Sequence, residues 1–152
     1  MFLLHHRFAQ HQGMVWGGES CIQDRSIFED LCFAHLHNKA GNISDLDFTT
    51  YRMAYQNMNN FLHKPDLLIF LDVSVDTAMA RIAKRKAEDP RRACERSIDA
   101  GYLTALKSEY EDFITSGLGG RIPVLRLDWN VPLTVDEVIA KLHTMVKHKI
   151  AM

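Results

Sequence analysis

A run of five apolar residues, from Leu67 to Leu71, constrains the fold of this chain more than any other feature. It follows a proline and ends at Asp72, so its length suits a strand rather than a helix. Apolar runs that do not alternate with polar residues belong to strands covered on both faces, as is typical of a parallel sheet. A second run, from Pro123 to Asp128, predicts another buried strand.

Helical patterns flank these strands. After the second strand, for example, the chain begins a helix near Thr134 with Val138 and Leu142 on its inner side. Strands that alternate with helices predict an α/β fold, a doubly wound parallel sheet flanked by helices, whose ligands bind beyond the carboxyl ends of the strands. The other predicted elements are a helix tail over 2–11, a loop over 13–20, a short strand over 21–23, and helices over 26–40, 44–62, 76–83 and 98–114, with a charged interruption over 84–96.

Charge and composition exclude several classes of function. The formal net charge of -1 argues against bulk nucleic acid or an anionic membrane as the main partner. The apolar runs are too short to span a bilayer. The three cysteines are far apart in sequence, which fits reduced thiols in the cytoplasm. A length of 152 residues predicts one domain over 1–152.

An acid and an arginine, Asp24 and Arg25, stand where the short predicted strand gives way to a helix. A guanidinium beside a helix N-terminus can hold a phosphate or orient a carboxylate base. On these residues alone, a helix cap with a surface ion pair explains the cluster better than a catalytic role.

A cationic segment continues the helix that follows the first buried strand. Arg81 and Arg85 are one helical turn apart, so they can reach a common target, and further cations follow up to Arg96. Arginines of this kind stabilise charge in phosphoryl transfer. A solvated helix end and a nonspecific nucleic-acid patch remain open as alternatives.

Two other groups of residues carry weaker signals. Asp128, Trp129 and Asn130 follow the second strand and could cradle an adenine, although such residues more often form a simple turn. The eight histidines show no metal-ligand spacing, so we predict no protein metal site. The glycines at 117–120 predict a turn rather than a phosphate loop.

Taken together, these segments resemble the deoxynucleoside kinase family, particularly its bacterial-type deoxyadenosine and deoxyguanosine kinases. The resemblance is carried, in order, by Gln23-Asp24-Arg25-Ser26-Ile27-Phe28-Glu29-Asp30, by the strand from Pro65 to Ser74, by the patterns R-I-x-x-R and R-x-x-E-x-x-I-x-x-x-Y-L between Arg81 and Leu103, by Tyr110-Glu111-Asp112-Phe113, and by Pro123-Val124-Leu125. It implies a P-loop kinase-like fold and ATP-dependent phosphorylation of the 5′-hydroxyl of a purine deoxynucleoside, in nucleotide salvage, by a cytoplasmic homodimer that uses ATP and Mg²⁺.

The resemblance also implies a role for each matching residue. Arg25 would hold the catalytic carboxylate and approach the 5′-hydroxyl, while Asp24 would lie near Mg²⁺ and the phosphates. Nucleobase contacts would come from Arg7 and Asp30. The lid arginines that bind the donor nucleotide would be Arg81, Arg85 and Arg92. Glu95 would bind the 3′-hydroxyl of the sugar. Asp128 and Trp129 would belong to the loop around the donor adenine.

Two departures from the family pattern matter. The lid carries extra residues between Arg85 and Arg92, which leaves Arg91 and Arg92 as alternatives for one lid position. The 152 residues also contain no G-x-x-x-x-G-K-[ST] loop, general-base glutamate or base-binding glutamine that would match the family, so we expect the chain alone to be inactive. A thymidylate-kinase-like enzyme and a non-catalytic kinase-like subunit remain the alternatives.

Overall fold

The computed structural model of the chain describes residues 1–18, 20–89, 98–116 and 122–150. These residues form helices and two short strands that follow one another along the chain. In order they are α1 (Phe2–Gly17), a 3₁₀ turn (Ile27–Glu29), α2 (Asp30–Lys39), α3 (Asp45–Asn59), β1 (Leu68–Asp72), α4 (Val75–Glu88), α5 (Ala100–Ser116), β2 (Val124–Asp128) and α6 (Val135–Ile150).

The chain divides into two compact units. The helical unit comprises Met1–Pro65 and Ala105–Arg121, and the sheet unit comprises Asp66–Thr104 and Ile122–Met152. The helical unit therefore contains α1 to α3 and most of α5. The sheet unit contains both strands with α4 and α6.

The core of the helical unit fixes the 3₁₀ turn. Leu4 of α1, Ile27 and Phe28 of the turn and Tyr55 of α3 are buried together. Burial of an aliphatic or aromatic side chain of this size stabilises a fold by about 2 kcal/mol. Since the turn supplies two of these four residues, the polar residues on either side of it are held in fixed positions.

Helix α1 is longer than the sequence pattern predicts. The loop predicted over 13–20 begins too early, because the helix continues through Gly13 to Gly17. A glycine inside a helix costs only about 1 kcal/mol relative to alanine, so Gly13 is tolerated. The helix ends at Gly18, whose φ of 67° is left-handed and whose N–H donates to the carbonyl of Val15.

The short strand predicted over 21–23 is also wrong. In the part of the chain that the structure describes, β1 and β2 pair with each other to form a two-stranded sheet, and residues 21–23 belong to neither strand. A strand needs a neighbour to satisfy its backbone hydrogen bonds. Ile22 is 96% exposed, so its apolar side chain contributes no core contact that would fix the segment.

The segment after Ser26 is helical, as predicted, but in two pieces. It begins with the 3₁₀ turn and continues as α2 up to Lys39. Gly41 follows with a left-handed φ of 73°, a conformation that glycine adopts readily just after a helix.

Three helix starts are capped by side-chain hydroxyls. The Ser44 hydroxyl accepts from the N–H of Asp47 at 3.1 Å, and the Ser74 hydroxyl accepts from the N–H of Thr77 at 3.2 Å. At the start of α6, Glu137 N–H donates to Thr134 Oγ1 at 3.3 Å while Thr134 N–H donates to Glu137 Oε2 at 2.7 Å, a reciprocal capping box.

Helix α4 extends further than predicted. The pattern placed an interruption from Lys84, but the helix continues to Glu88. Its last turns are rich in Lys, Arg and Glu, which are good helix formers without an apolar face. Charge therefore marks a solvated part of the same helix rather than its end.

The parallel pairing of the two strands is confirmed. Leu68 pairs with Val124, and the register continues to Asp72 opposite Asp128. The prediction that β1 is covered on both faces is wrong, because Ile69 and Leu71 remain 38% and 46% exposed. No element that the structure describes covers that face completely. The register nevertheless brings both strand-end aspartates to the same edge of the sheet.

Candidate active site

The first group of polar residues lies in the helical unit and joins α1 to α2. Arg7 Nη1 forms an ion pair with Asp30 Oδ1, and their side chains are 16% and 7% exposed. Asp30 is the first residue of α2, where the helix dipole favours a negative charge. The structure thus brings together the two residues predicted to contact a nucleobase.

Arg25 lies beside the same group. Its Nε is 3.9 Å from Glu29 Oε1, and that oxygen is 4.0 Å from Arg7 Nη1. The guanidinium of Arg25 also lies over the ring of Phe33, 5.5 Å from its centroid, as in a cation–π contact. Arg25 has a left-handed φ of 61°, which is strained for a residue with a Cβ and is frequent at functional sites.

The carboxyl group of Glu29 has a raised pKa. Burial raises the pKa of Glu29, while the nearby Arg25 and Arg7 and a hydrogen bond with Tyr110 act in the opposite direction without cancelling the effect. Burial likewise raises the pKa of Tyr110. Sequence reasoning missed Glu29 and Tyr110 as site residues, although the spacing of Glu29 four residues after Arg25 was a usable signal.

Two carboxylate oxygens of this group retain hydrogen-bonding capacity. Glu29 Oε1 and Asp30 Oδ2 are buried and have no hydrogen-bond partner among the residues that the structure describes. Buried acceptors of this kind are costly unless a donor reaches them. A ligand with N–H or O–H groups could supply that donor.

The second group lies in the sheet unit, after β2. Arg81 Nη2 donates to the carbonyl oxygens of Trp129 at 2.6 Å and Asn130 at 3.1 Å. The Asn130 side chain accepts from Ser74 N–H at 2.9 Å. Helix α4, through Arg81 and its N-cap Ser74, therefore holds the loop that follows β2.

The strand-end aspartates of the sheet unit have different partners. Asp128 Oδ1 accepts from the backbone and side-chain N–H groups of Asn130, and these bonds lower the pKa of Asp128. Asp72 Oδ2 is 3.3 Å from Arg126 Nη1, and the Arg126 guanidinium also lies over the ring of Phe70. Both carboxylates lie at the carboxyl ends of the paired strands.

The remaining predicted site residues are placed less specifically. Asp24 is exposed in the turn before Arg25, and Arg85 is exposed on α4 one turn beyond Arg81. Arg92, Glu95 and the alternative Arg91 lie outside the described residues. Roles assigned to these residues therefore stay predictions.

Among the described ranges, no group of three or more His, Cys, Asp or Glu side chains could hold a metal ion. The same ranges contain no helix that is both long and apolar enough to cross a bilayer.

Comparison with known proteins identifies relatives over nearly the whole chain. A family model described as "Deoxynucleoside kinase" matches residues 1–150. The chain is similar to a deoxyadenosine kinase of Dictyostelium discoideum, with 38% identity over 130 residues that cover 86% of this chain and 51% of that protein. It is 31% identical to a deoxyadenosine/deoxycytidine kinase of Bacillus subtilis (strain 168) over 130 residues, 84% of this chain and 57% of that protein. The chain thus spans about half the length of these curated relatives.

Solved structures give the same result for the fold. Deoxyadenosine kinase from M. mycoides with bound dCTP matches with a TM-score of 0.71 and 26% identity, over 99% of this chain and 71% of that one. The same enzyme with bound dATP matches with a TM-score of 0.69 and 26% identity, over 95% and 72% of the two chains. These matches confirm the predicted α/β kinase fold.

Proposed function

The chain belongs to the deoxynucleoside kinase family, and from that premise we propose that it forms part of an enzyme that transfers the γ-phosphoryl group of ATP to the 5′-hydroxyl of a purine deoxynucleoside. The Arg7–Asp30 ion pair, with its unsatisfied Asp30 oxygen, is the observation that carries this proposal.

The Arg7–Asp30 pair offers a nucleobase one donor and one acceptor side by side. Adenine presents a complementary edge, since its N6 amino group donates and its N7 accepts. A site with buried charged groups discriminates strongly against ligands that lack the matching hydrogen-bonding group, because those charged groups would then stay unpaired. Apolar contacts discriminate less. A purine is supported by the similarity to deoxyadenosine kinases, although the same donor–acceptor pairing also fits other bases.

The proposed acceptor chemistry centres on Arg25. Its guanidinium would orient the catalytic carboxylate and the 5′-hydroxyl, because phosphoryl transfer depends mainly on positioning and charge stabilisation. Asp24, exposed in the adjacent turn, suits Mg²⁺, which proteins usually hold through one or two carboxylates together with phosphates and waters. When bound, Mg²⁺ neutralises charge on the donor phosphates.

The proposed donor residues come from α4 and from the loop after β2. Arg85 and Arg92 would grip the ATP phosphates, Glu95 would bind the sugar 3′-hydroxyl, and Asp128 and Trp129 would lie near the donor adenine. Arg81 would act with the lid from its position on α4, where its Nη2 holds the loop of Trp129. We place the enzyme in nucleotide salvage in the cytoplasm, as a homodimer.

The 152-residue sequence contains no G-x-x-x-x-G-K-[ST] phosphate loop. Such a loop supplies the backbone cradle and the lysine for the β- and γ-phosphates. We therefore propose that these residues by themselves do not transfer a phosphoryl group. The complete polypeptide that carries them is the proper subject of an activity assay.

The test is an assay of that complete polypeptide with ATP, Mg²⁺ and each of the four common deoxynucleosides, with products identified by chromatography. We expect 5′-monophosphates, formed fastest from deoxyadenosine or deoxyguanosine. Conversion of deoxythymidine monophosphate to the diphosphate, in place of nucleoside phosphorylation, would favour a thymidylate-kinase-like enzyme. Absence of any nucleotide product would leave a non-catalytic subunit.

A further inference from the structure

We propose that Glu29 is a positioning residue, whose single oxygen Oε1 sets the orientation of both Arg7 and Arg25 for the reaction. The inference deepens the proposed function and rests on it. Neither residue type nor spacing alone suggested this role, because Arg7 and Glu29 are far apart in sequence.

The geometry places one carboxylate oxygen between two guanidinium groups. Glu29 Oε1 is 4.0 Å from Arg7 Nη1 and 3.9 Å from Arg25 Nε. Both distances exceed a hydrogen bond, so the attraction is electrostatic and leaves Oε1 able to accept. The oxygen is buried, which strengthens its attraction to both cations relative to water.

Arg25 needs such a partner because little else restrains it. Its side chain is 57% exposed, and its backbone has the strained left-handed φ of 61°. The ring of Phe33 supports one side of the guanidinium, and Glu29 attracts it from the Nε side. A long flexible side chain that is held by both a ring and a charge spends more time in the productive orientation than one held by either alone.

Glu29 itself is anchored from a third element. It shares a hydrogen bond with Tyr110 of α5, and the Tyr110 ring meets the Phe33 ring edge-on at 6.0 Å. The same aromatic pair therefore fixes the carboxylate and the ring that hold Arg25. Glu29 thereby links the arginine paired with Asp30 to the arginine beside the proposed phosphoryl acceptor.

A charge role and a shape role for Glu29 predict opposite orders of activity for two variants of the complete polypeptide. Glu29→Gln keeps the shape and removes the charge, whereas Glu29→Asp keeps the charge and shortens the side chain. If charge positions the arginines, kcat/KM for the preferred deoxynucleoside falls about tenfold or more in Glu29→Gln and less in Glu29→Asp. The KM for ATP should stay within about twofold of wild type in both variants.

A third variant separates the two arginines. Phe33→Leu removes the ring under the Arg25 guanidinium and its edge-on contact with Tyr110, but no contact of Arg7 with Asp30. We therefore expect kcat to fall while the KM for the deoxynucleoside changes little. Asp66→Asn, at an exposed aspartate of the sheet unit, serves as the matched control and should behave as wild type. Melting temperatures of all variants are measured alongside the kinetics.

The outcomes distinguish the inference from the proposed function. An active wild type with Glu29→Gln at wild-type kcat/KM, or with Glu29→Asp less active than Glu29→Gln, overturns the role of Glu29 alone. A wild type that phosphorylates no deoxynucleoside overturns the proposed function and this inference with it. If Glu29→Gln does not fold, Glu29→Asp and Phe33→Leu decide, and wild-type kinetics in both overturn the inference.

Discussion

Arg81 Nη2 lies 2.6 Å from the carbonyl oxygen of Trp129. A second bond to the Asn130 carbonyl, at 3.1 Å, makes the same nitrogen a bridge between α4 and the loop after β2. Hydrogen bonds from a charged donor are stronger than neutral ones. Helix α4 and the loop proposed to surround the donor adenine are thus linked within the sheet unit.

Replacement of Arg81 by lysine tests this link. Lysine keeps the charge but lacks the planar fork, so we expect the loop to loosen and affinity for ATP to fall by about tenfold. Deoxynucleoside affinity should change less. With Trp16 and any other tryptophan of the complete polypeptide replaced by phenylalanine, the fluorescence of Trp129 reports the loop directly. Lys84→Ala, at a side chain 76% exposed, is the control. Unchanged fluorescence and ATP affinity in Arg81→Lys would show that the bridge has no role in donor binding.

Asp30→Asn should destabilise the helical unit and weaken recognition of the base. The change leaves Arg7 without its buried partner, and breaking a buried pair typically costs about 3 kcal/mol. The nearby Glu29 compensates in part, so the loss should not exceed that figure. Urea unfolding measures the free energy, with Asp66→Asn as the surface control. Equal stability of both variants would mean that the ion pair contributes nothing.

Glu109 should make stability depend on acid. Burial acts to raise the pKa of Glu109, but hydrogen bonds from Lys39 and His35, together with their charges, outweigh it and hold the pKa below its ordinary value of 4.5. Because the pKa of Glu109 is lower in the folded than in the unfolded state, its carboxylate contributes its full stabilisation above about pH 4.5. That stabilisation is lost as the pH falls through the pKa that Glu109 has in the folded state.

The variant Glu109→Gln, compared with wild type, isolates this effect. The free energy of unfolding of both proteins is measured from about pH 3 to about pH 7, a range that includes the pH at which carboxyl groups titrate. The difference in stability should be largest at neutral pH and shrink in acid. Glu88→Gln, at a side chain 62% exposed, should show no such trend. A difference that grows as the pH falls would contradict the assigned direction.

Tyr110→Phe should raise the pKa of Glu29 further. The tyrosine hydrogen bond stabilises the carboxylate, so its loss adds to the effect of burial. Side-chain carboxyl chemical shifts of Glu29, followed by NMR as a function of pH, measure the change. A downward shift would show that Tyr110 does not donate to the carboxylate.

The elements that sequence could predict are those fixed by local chemistry. Ser44, Ser74 and Thr134 cap their helices as their spacing indicates, since the bonds involved span only three residues. The two parallel strands also follow from their own apolar runs. Helix α1 was mispredicted because Gly13 has the local appearance of a loop, while Leu4 and the core that it joins hold the helix in place.

The candidate site was predictable only where side chains of known chemistry follow one another. Asp24 and Arg25 were evident for that reason. The bridge from Arg81 was not, because it ends on backbone carbonyls, which every residue carries. The role of Glu29 depends on Arg7, which comes from α1, and on Tyr110, which comes from α5, and no local pattern reports their approach.

The most direct test of the central claim is a calorimetric titration of the complete polypeptide with deoxyadenosine, in competition with deoxyadenosine 5′-monophosphate. The account predicts saturable binding of deoxyadenosine that the monophosphate does not outcompete. It also predicts that Arg7→Ala weakens the affinity for deoxyadenosine by about tenfold or more. Saturable binding that is equal in wild type and Arg7→Ala, tighter binding of the monophosphate, or no binding of any deoxynucleoside would contradict it.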